Sequence, residues 1–187
     1  VRYPGEDLRQ GELIFTSGRK LVAADIGLTA SLGIPKLKVL RRPKVAILST
    51  GDELRALGSE LKTGQIYDSN RYTLHALLQS LNVEIIDLGI IPDQAEAIEQ
   101  AFVQAKDQAD LLITSGGVSV GDADFVASTL KKLGEVSFWK IAMKPGKPLA
   151  FGNLGDCLFF GLPGNPVSVM ATFLLFVRPA ILKLSGE

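Results

Sequence analysis

From residue 44 to the end, this sequence alternates between two hydrophobic periods, and few architectures accept that alternation. Residues 45–48 form a short β-branched and apolar run, which suits a parallel strand buried on both faces. Leu74, Leu77, Leu78 and Leu81 then recur at i, i+3, i+4 and i+7, one face of a helix opened by Asp68 or Ser69 as its cap. Residues 83–91 read as a strand, and Pro92-Asp93 opens a helix carrying Ile98, Ala101, Phe102 and Ala105 on one face. Residues 110–114 are a third strand, followed after a glycine-rich loop by a helix lined with Val126, Thr129, Leu130 and Leu133. Residues 136–143 read as a fourth strand, 149–151 and 158–160 as a hairpin, and 165–184 as a helix that Pro179 kinks or interrupts. Alternation of this kind predicts a three-layer α/β/α domain, a mostly parallel sheet with helices on both faces.

Residues 1–41 have a different texture, with short elements between glycines and too few large apolar residues for a core of their own. We expect strands at 12–15 and 37–40, and a helix over 26–32 capped by Asp25 and stopped by Gly33. Arg41-Arg42-Pro43 marks the boundary. The chain is thus divided into 1–41, a small β-rich part of a preceding domain, and 42–187, the α/β domain. It opens on Val1 rather than Met, so we expect a piece of something longer.

Composition removes some functions. Lys and Arg total 20 and Asp and Glu total 20, so no charge excess draws the chain to nucleic acid or a membrane surface. The apolar stretch 158–177 is interrupted by Gly161, Pro163, Gly164, Asn165 and Pro166, which argues against a membrane span. Cys157 has no cysteine to pair with, consistent with a reducing, cytoplasmic setting and with a small buried hydrophobe. His75 is the only histidine, which rules out a histidine-rich metal site; we read it as a surface or boundary residue, and Trp139 as core.

Ligands of such sheets bind outside the carboxyl ends of the strands, where the strand order reverses. Five chemically loaded loops should share that edge: 49–53, 92–93, 115–124, 144–148 and 161–166. In the third, Ser115, Gly116, Gly117 and Ser119 lead into a helix N-terminus. Glycines admit close backbone approach, and a helix start favours phosphate. A plain strand-to-helix turn explains the same residues equally well. The loop lacks the Gly-Lys-Ser/Thr of a Walker motif and the dinucleotide spacing. Asp122 is either a cap or, with Asp124, a magnesium ligand beside a phosphate. Glu53 and Asp93 end separate strands, where they are either solvated or converge on a cation or a proton. Asp52 reads as a turn residue. Lys140 and Lys144, four apart, share a face if their strand persists, and with Lys147 they suit an oxyanion or a solvated edge. Pro145 and Pro148 stiffen that loop.

Four ordered motifs resemble one family: Ser49-Thr50-Gly51-Asp52-Glu53-Leu54, the run 114–124, Met143-Lys144-Pro145-Gly146-Lys147-Pro148, and Gly161-Leu162-Pro163-Gly164-Asn165-Pro166-Val167-Ser168. They look like the molybdopterin molybdotransferases, whose animal relative is the E domain of gephyrin. Gly5-Glu6-Asp7-Leu8 with Gly11-Glu12 fits the segment ahead of that domain. The resemblance implies a MogA-like domain of molybdenum cofactor biosynthesis, in a cytoplasmic enzyme that takes adenylated molybdopterin and molybdate, inserts molybdenum and releases AMP with Mg2+. It implies Glu53, Asp93 and Asp124 as active-site acids, Asp124 as the magnesium ligand, and Lys140 and Lys144 on pterin phosphate or molybdate. Ser115, Gly116, Gly117 and Ser119 would cradle the adenylate phosphate. Gly146 and Lys147 would add to the binding site, Pro163 and Pro166 would shape the pocket, and Asp7 would be a further acid. It further implies a homodimer supplied by an upstream molybdopterin adenylyltransferase. Two alternatives remain: that adenylyltransferase itself, whose third loop typically reads Ser-Gly-Gly-Thr-Gly where this chain has Val118-Ser119-Val120-Gly121, and a gephyrin-like module binding a receptor peptide. Family members are longer, so this chain alone should fold but lack part of its active site.

Overall fold

The computed structural model describes residues 3–117 and 125–187, without the side chains of Ala127 and of residues 136–140. Six strands form one sheet: β1 (Lys44–Thr50), β4 (Glu84–Ile91), β5 (Leu111–Ser115), β6 (Glu135–Lys140), β7 (Pro148–Leu154) and β8 (Cys157–Leu162), in the order β4-β1-β5-β8-β7-β6. β1, β4, β5 and β8 are mutually parallel. β7 is antiparallel to both its neighbours, so β6 points the same way as β8. The C-terminal ends of β1, β4, β5, β6 and β8 therefore share one edge, as the alternation predicts.

The two helical layers follow from the strand period of two. Ala46, Leu48, Leu112 and Phe159 face α3 (Ala95–Gln108) and α4 (Phe125–Leu133), where Ile98, Phe102, Val126 and Leu130 are fully buried. Val45, Ile47, Leu111, Ile113 and Phe160 face α2 (Ser69–Gln79) and the final helix, through Leu74, Leu78, Val169, Phe173, Val177 and Ile181. Cys157 is buried in the first layer and His75 is half-buried on α2, both as expected. The last helix runs as α5 (Pro166–Thr172), a π-helical turn (Phe173–Val177) and α6 (Arg178–Leu184). Pro179 has no N–H to give and its ring crowds the carbonyl four residues back; widening the preceding turn removes that conflict. By length and composition this 19-residue helix could cross a membrane. Here one side of it covers the sheet.

Ahead of the sheet the structure corrects the sequence reading. Residues 12–15 and 37–40 are not strands; no described segment pairs with them, and Leu13, Val39 and Leu40 are exposed. The helix α1 starts three residues earlier than expected, at Ala23–Ser31, with Val22 at its N-cap. Asp25 lies inside the first turn, accepts the Val22 N–H at 3.1 Å and pairs with Arg19 at 2.8 Å. It serves the helix start from the third helical position, by accepting the N-cap backbone N–H, rather than as the cap itself. A two-stranded parallel ladder, β2 (Leu54–Arg55) and β3 (Ile66–Tyr67), was not legible, because two residues carry no period.

Candidate functional site

The chain leaves β1 for β4 on one side and leaves β5 for β6 on the other. Strand order thus reverses between β1 and β5, and the crevice at their carboxyl ends is where ligands of such sheets bind. The strand termini there are polar although the strand interiors, residues 45–48 and 111–113, are apolar. Ser49 and Ser115 are opposite each other, their hydroxyls 3.0 Å apart and buried. Thr50 and Thr114 point to the other face, 4% and 0% exposed, and among the described residues neither hydroxyl has a hydrogen-bond partner. Stranded buried hydroxyls are uncommon and concentrate where something else completes them.

Gly116 and Gly117 follow, with φ of 85° and 65°. A Cβ on Gly116 would sit 2.6 Å from the Thr50 carbonyl oxygen, and one on Gly117 would sit 2.6 Å from both Thr50 Oγ1 and Val126 Cγ2. Only glycine lets the chain turn this tightly over the end of β1. The Gly116 N–H donates to Leu162 O at 3.2 Å, tying the turn to β8. Ser119, Asp122 and Asp124 lie outside the described residues, so the expected cradle is seen only through Ser115, Gly116 and Gly117.

The acids gather at the β1–β4 corner. Asp52 is a turn residue, Glu53 folds its carboxylate back over Gly51, and the Asp93 N–H approaches Asp52 Oδ1 at 3.4 Å. Partial burial raises the Asp93 carboxyl above the usual carboxylate range, and the neighbouring charges of Asp52 and Glu53 push it further. Among the described residues no three His, Cys, Asp or Glu side chains form a metal cage. The corner therefore fits magnesium only in its common mode, one or two carboxylates sharing an ion with ligand phosphates.

The lysines arrange differently from the sequence expectation. β6 ends at Lys140, paired with Pro148, and Met143 N turns back to Ile141 O at 2.8 Å. The strand does not persist, so Lys140 and Lys144 do not share a strand face. Lys144 and Lys147 are exposed on the 141–147 loop, closed by Ile141 N donating to Lys147 O at 2.7 Å. Gly146 is buried, packed between Met143 and Thr172. Pro163 is buried at the end of β8, and Pro166 opens α5 behind Asn165, whose side chain accepts from Val167 N and Ser168 N. Asp7 is exposed, in the segment ahead of α1.

Sequence reasoning did not single out Asn70. It is buried at the start of α2, donates to Gly164 O at 2.8 Å and leaves its carbonyl oxygen without a partner among the described residues. Arg71 beside it pairs with buried Asp68 at 3.0 Å and with Asp87 at 2.6 Å, fixing the α2 N-terminus to β4. The available signal was polar residues closing apolar strands, Ser49-Thr50 and Thr114-Ser115. A separate cavity of about 1080 Å3 lies at the opposite edge, bounded by Arg19, Lys38 and Arg42 together with Asn82 and Glu187. It is lined by exposed cations but holds neither the crevice nor its acids.

A molybdopterin molybdenumtransferase of Haemophilus influenzae is 53% identical over 187 residues, covering 100% of this chain and 46% of that protein. Gephyrin of Dictyostelium discoideum is 38% identical, covering 100% of this chain and 30% of its own length. Among solved structures, the molybdopterin biosynthesis MoeA protein of Pyrococcus horikosii superposes with a TM-score of 0.84 at 39% identity, over 97% of this chain and 45% of that one. The chain thus spans less than half the length of these relatives. The family model described as a probable molybdopterin binding domain matches residues 46–183, from the third residue of β1 to the penultimate residue of the last helix. The chain therefore belongs to the family of probable molybdopterin binding domains.

Proposed function

We propose that this chain is the substrate-binding α/β part of a molybdopterin molybdotransferase in molybdenum cofactor biosynthesis. The observation that carries the reading is the β1–β5 crevice: a glycine turn and four hydroxyls at the switch point, with an acidic corner between β1 and β4 and a lysine loop farther along the same edge of the sheet. Adenylated molybdopterin would lay its phosphates at Ser115, Gly116 and Gly117, with Ser119 completing the loop. Lys140, Lys144 and Lys147 supply positive charge for the pterin phosphate or for molybdate, which enters as substrate. Glu53, Asp93 and Asp124 are the acids of the reaction, and Asp124 the residue we assign to Mg2+. The ion offsets the phosphate charge beside these carboxylates. Pro163, Gly146 and Pro166 hold the loops in shape, and Asp7 would be a further acid from the preceding segment.

The reaction releases AMP and leaves molybdenum on the dithiolene. A molybdopterin adenylyltransferase supplies the substrate, and the setting is cytoplasmic. A homodimer suits the final helix, which exposes Val167, Met170, Leu174 and Leu175. The test uses the chain joined to the rest of its length. With adenylated molybdopterin, molybdate and magnesium it should release AMP, and Asp124→Asn should remove the magnesium dependence. Equal magnesium dependence in the variant rules out Asp124 as ligand. The 187-residue chain alone should bind AMP yet stay near background in turnover, because orientation of the reacting groups is incomplete. Full turnover by the short chain contradicts that division of labour.

A further inference from the structure

We infer that Thr50 is a direct ligand of the anion held at the Gly116-Gly117 turn, its hydroxyl donating to a phosphate oxygen. The inference rests on the reading of that turn as a phosphate cradle. Thr50 closes β1 on the switch-point side, 4% exposed. Its Oγ1 is buried with no hydrogen-bond partner among the described residues. The same atom lies 2.6 Å from where a Cβ on Gly117 would stand and 3.7 Å from that of Gly116. The hydroxyl is therefore directed at the turn, and the two glycines are the residue type that lets a third party come close to it.

The choice of threonine is informative. Valine has nearly the same shape, fits a strand as well and strands no polar atom in the core. A buried hydroxyl without a partner makes the empty protein less stable than valine would. The sacrifice is explained if a ligand oxygen supplies the missing partner. Ser49 and Ser115 do not compete for this role, because they satisfy each other across the strands on the opposite face.

The test compares Thr50→Val and Thr50→Ser with the unaltered chain, measuring AMP binding by isothermal titration in magnesium and stability by urea denaturation without ligand. Thr50→Val should weaken AMP binding about tenfold or more, the effect of losing a hydrogen bond to a charged group. The same variant should be as stable as the parent or more so, and Thr50→Ser should keep most of the affinity. Opposite signs in binding and stability separate a ligand contact from a structural one. Unchanged AMP affinity in Thr50→Val overturns the inference while leaving the cradle standing. Loss of stability in Thr50→Val also overturns it, since the hydroxyl then has a structural partner. If the parent chain binds no AMP, the cradle reading fails and takes this inference with it.

Discussion

Gly116→Ala is the sharpest test of the turn that builds the crevice, because the fold contains its own control. Gly116 and Gly89 both have φ near +80°, at 85° and 79°. An alanine at either pays the left-handed backbone cost of about 1–2 kcal/mol. They differ in what the new methyl meets: nothing within 4 Å at Gly89, but the Thr50 carbonyl oxygen at 2.6 Å at Gly116. That oxygen belongs to β1, which is paired with β4 and β5 on its two sides, so it has no room to retreat. Forcing a methylene-sized group into such a position adds about 1–3 kcal/mol. Gly116→Ala should therefore cost about 2–5 kcal/mol in all, and Gly89→Ala about 1–2 kcal/mol. Urea denaturation followed by fluorescence and circular dichroism measures both, with the slope checked for constancy. If the two variants lose the same stability, the tight approach of the turn to β1 is wrong, and with it the shape of the crevice floor.

Three other consequences follow from buried or crowded charges. Asp93 binds its proton more tightly folded than unfolded, so its ionisation works against the fold: stability falls as pH rises through the unfolded and then the raised folded value. Asp93→Asn should therefore stabilise the chain at pH 7 and lose that advantage in acid; a destabilised variant at pH 7 would refute the crowding. Burial pushes the Cys157 thiol up to about 12, so a thiol reagent at pH 8 should label it only after urea is added. Rapid labelling of the native chain contradicts its place in the core. Arg71→Met should destabilise by roughly 2–4 kcal/mol, near the cost of breaking a buried pair, because it leaves Asp68, 1% exposed, without its cation. A loss under about 0.5 kcal/mol would mean the α2 N-terminus is held by other contacts.

The sheet and its helices were readable because the core repeats at strand or helix period: every residue of the α3 stripe, Ile98, Ala101, Phe102 and Ala105, is buried. Loop placement on one edge followed from the same alternation. Three features did not follow. Residues 12–15 and 37–40 have strand-like composition, but a strand needs a neighbour and composition does not supply one. The end of β6 at Lys140 is set by the 141–147 turn, whose closing hydrogen bond involves backbone alone. Thr50, although inside a recognised motif, and Asn70 were not singled out as site residues because what distinguishes them is a missing partner, and absence of a hydrogen bond is a property of the packed molecule. Asp25 shows the limit at one residue's scale, since an acid at N3 and an acid at the N-cap look the same until the helix start is known.

The claim that the carboxyl-end crevice is the binding site is tested most directly by an amide NMR titration of the chain with AMP and magnesium. The account predicts shifts concentrated at Thr50, Ser115, Gly116, Gly117 and the 141–147 loop, with a smaller response at Gly164 through its bond to Asn70. Shifts confined to the opposite edge, around Arg19, Lys38, Arg42 and Asn82, would place the anion in the basic cavity there and contradict the account.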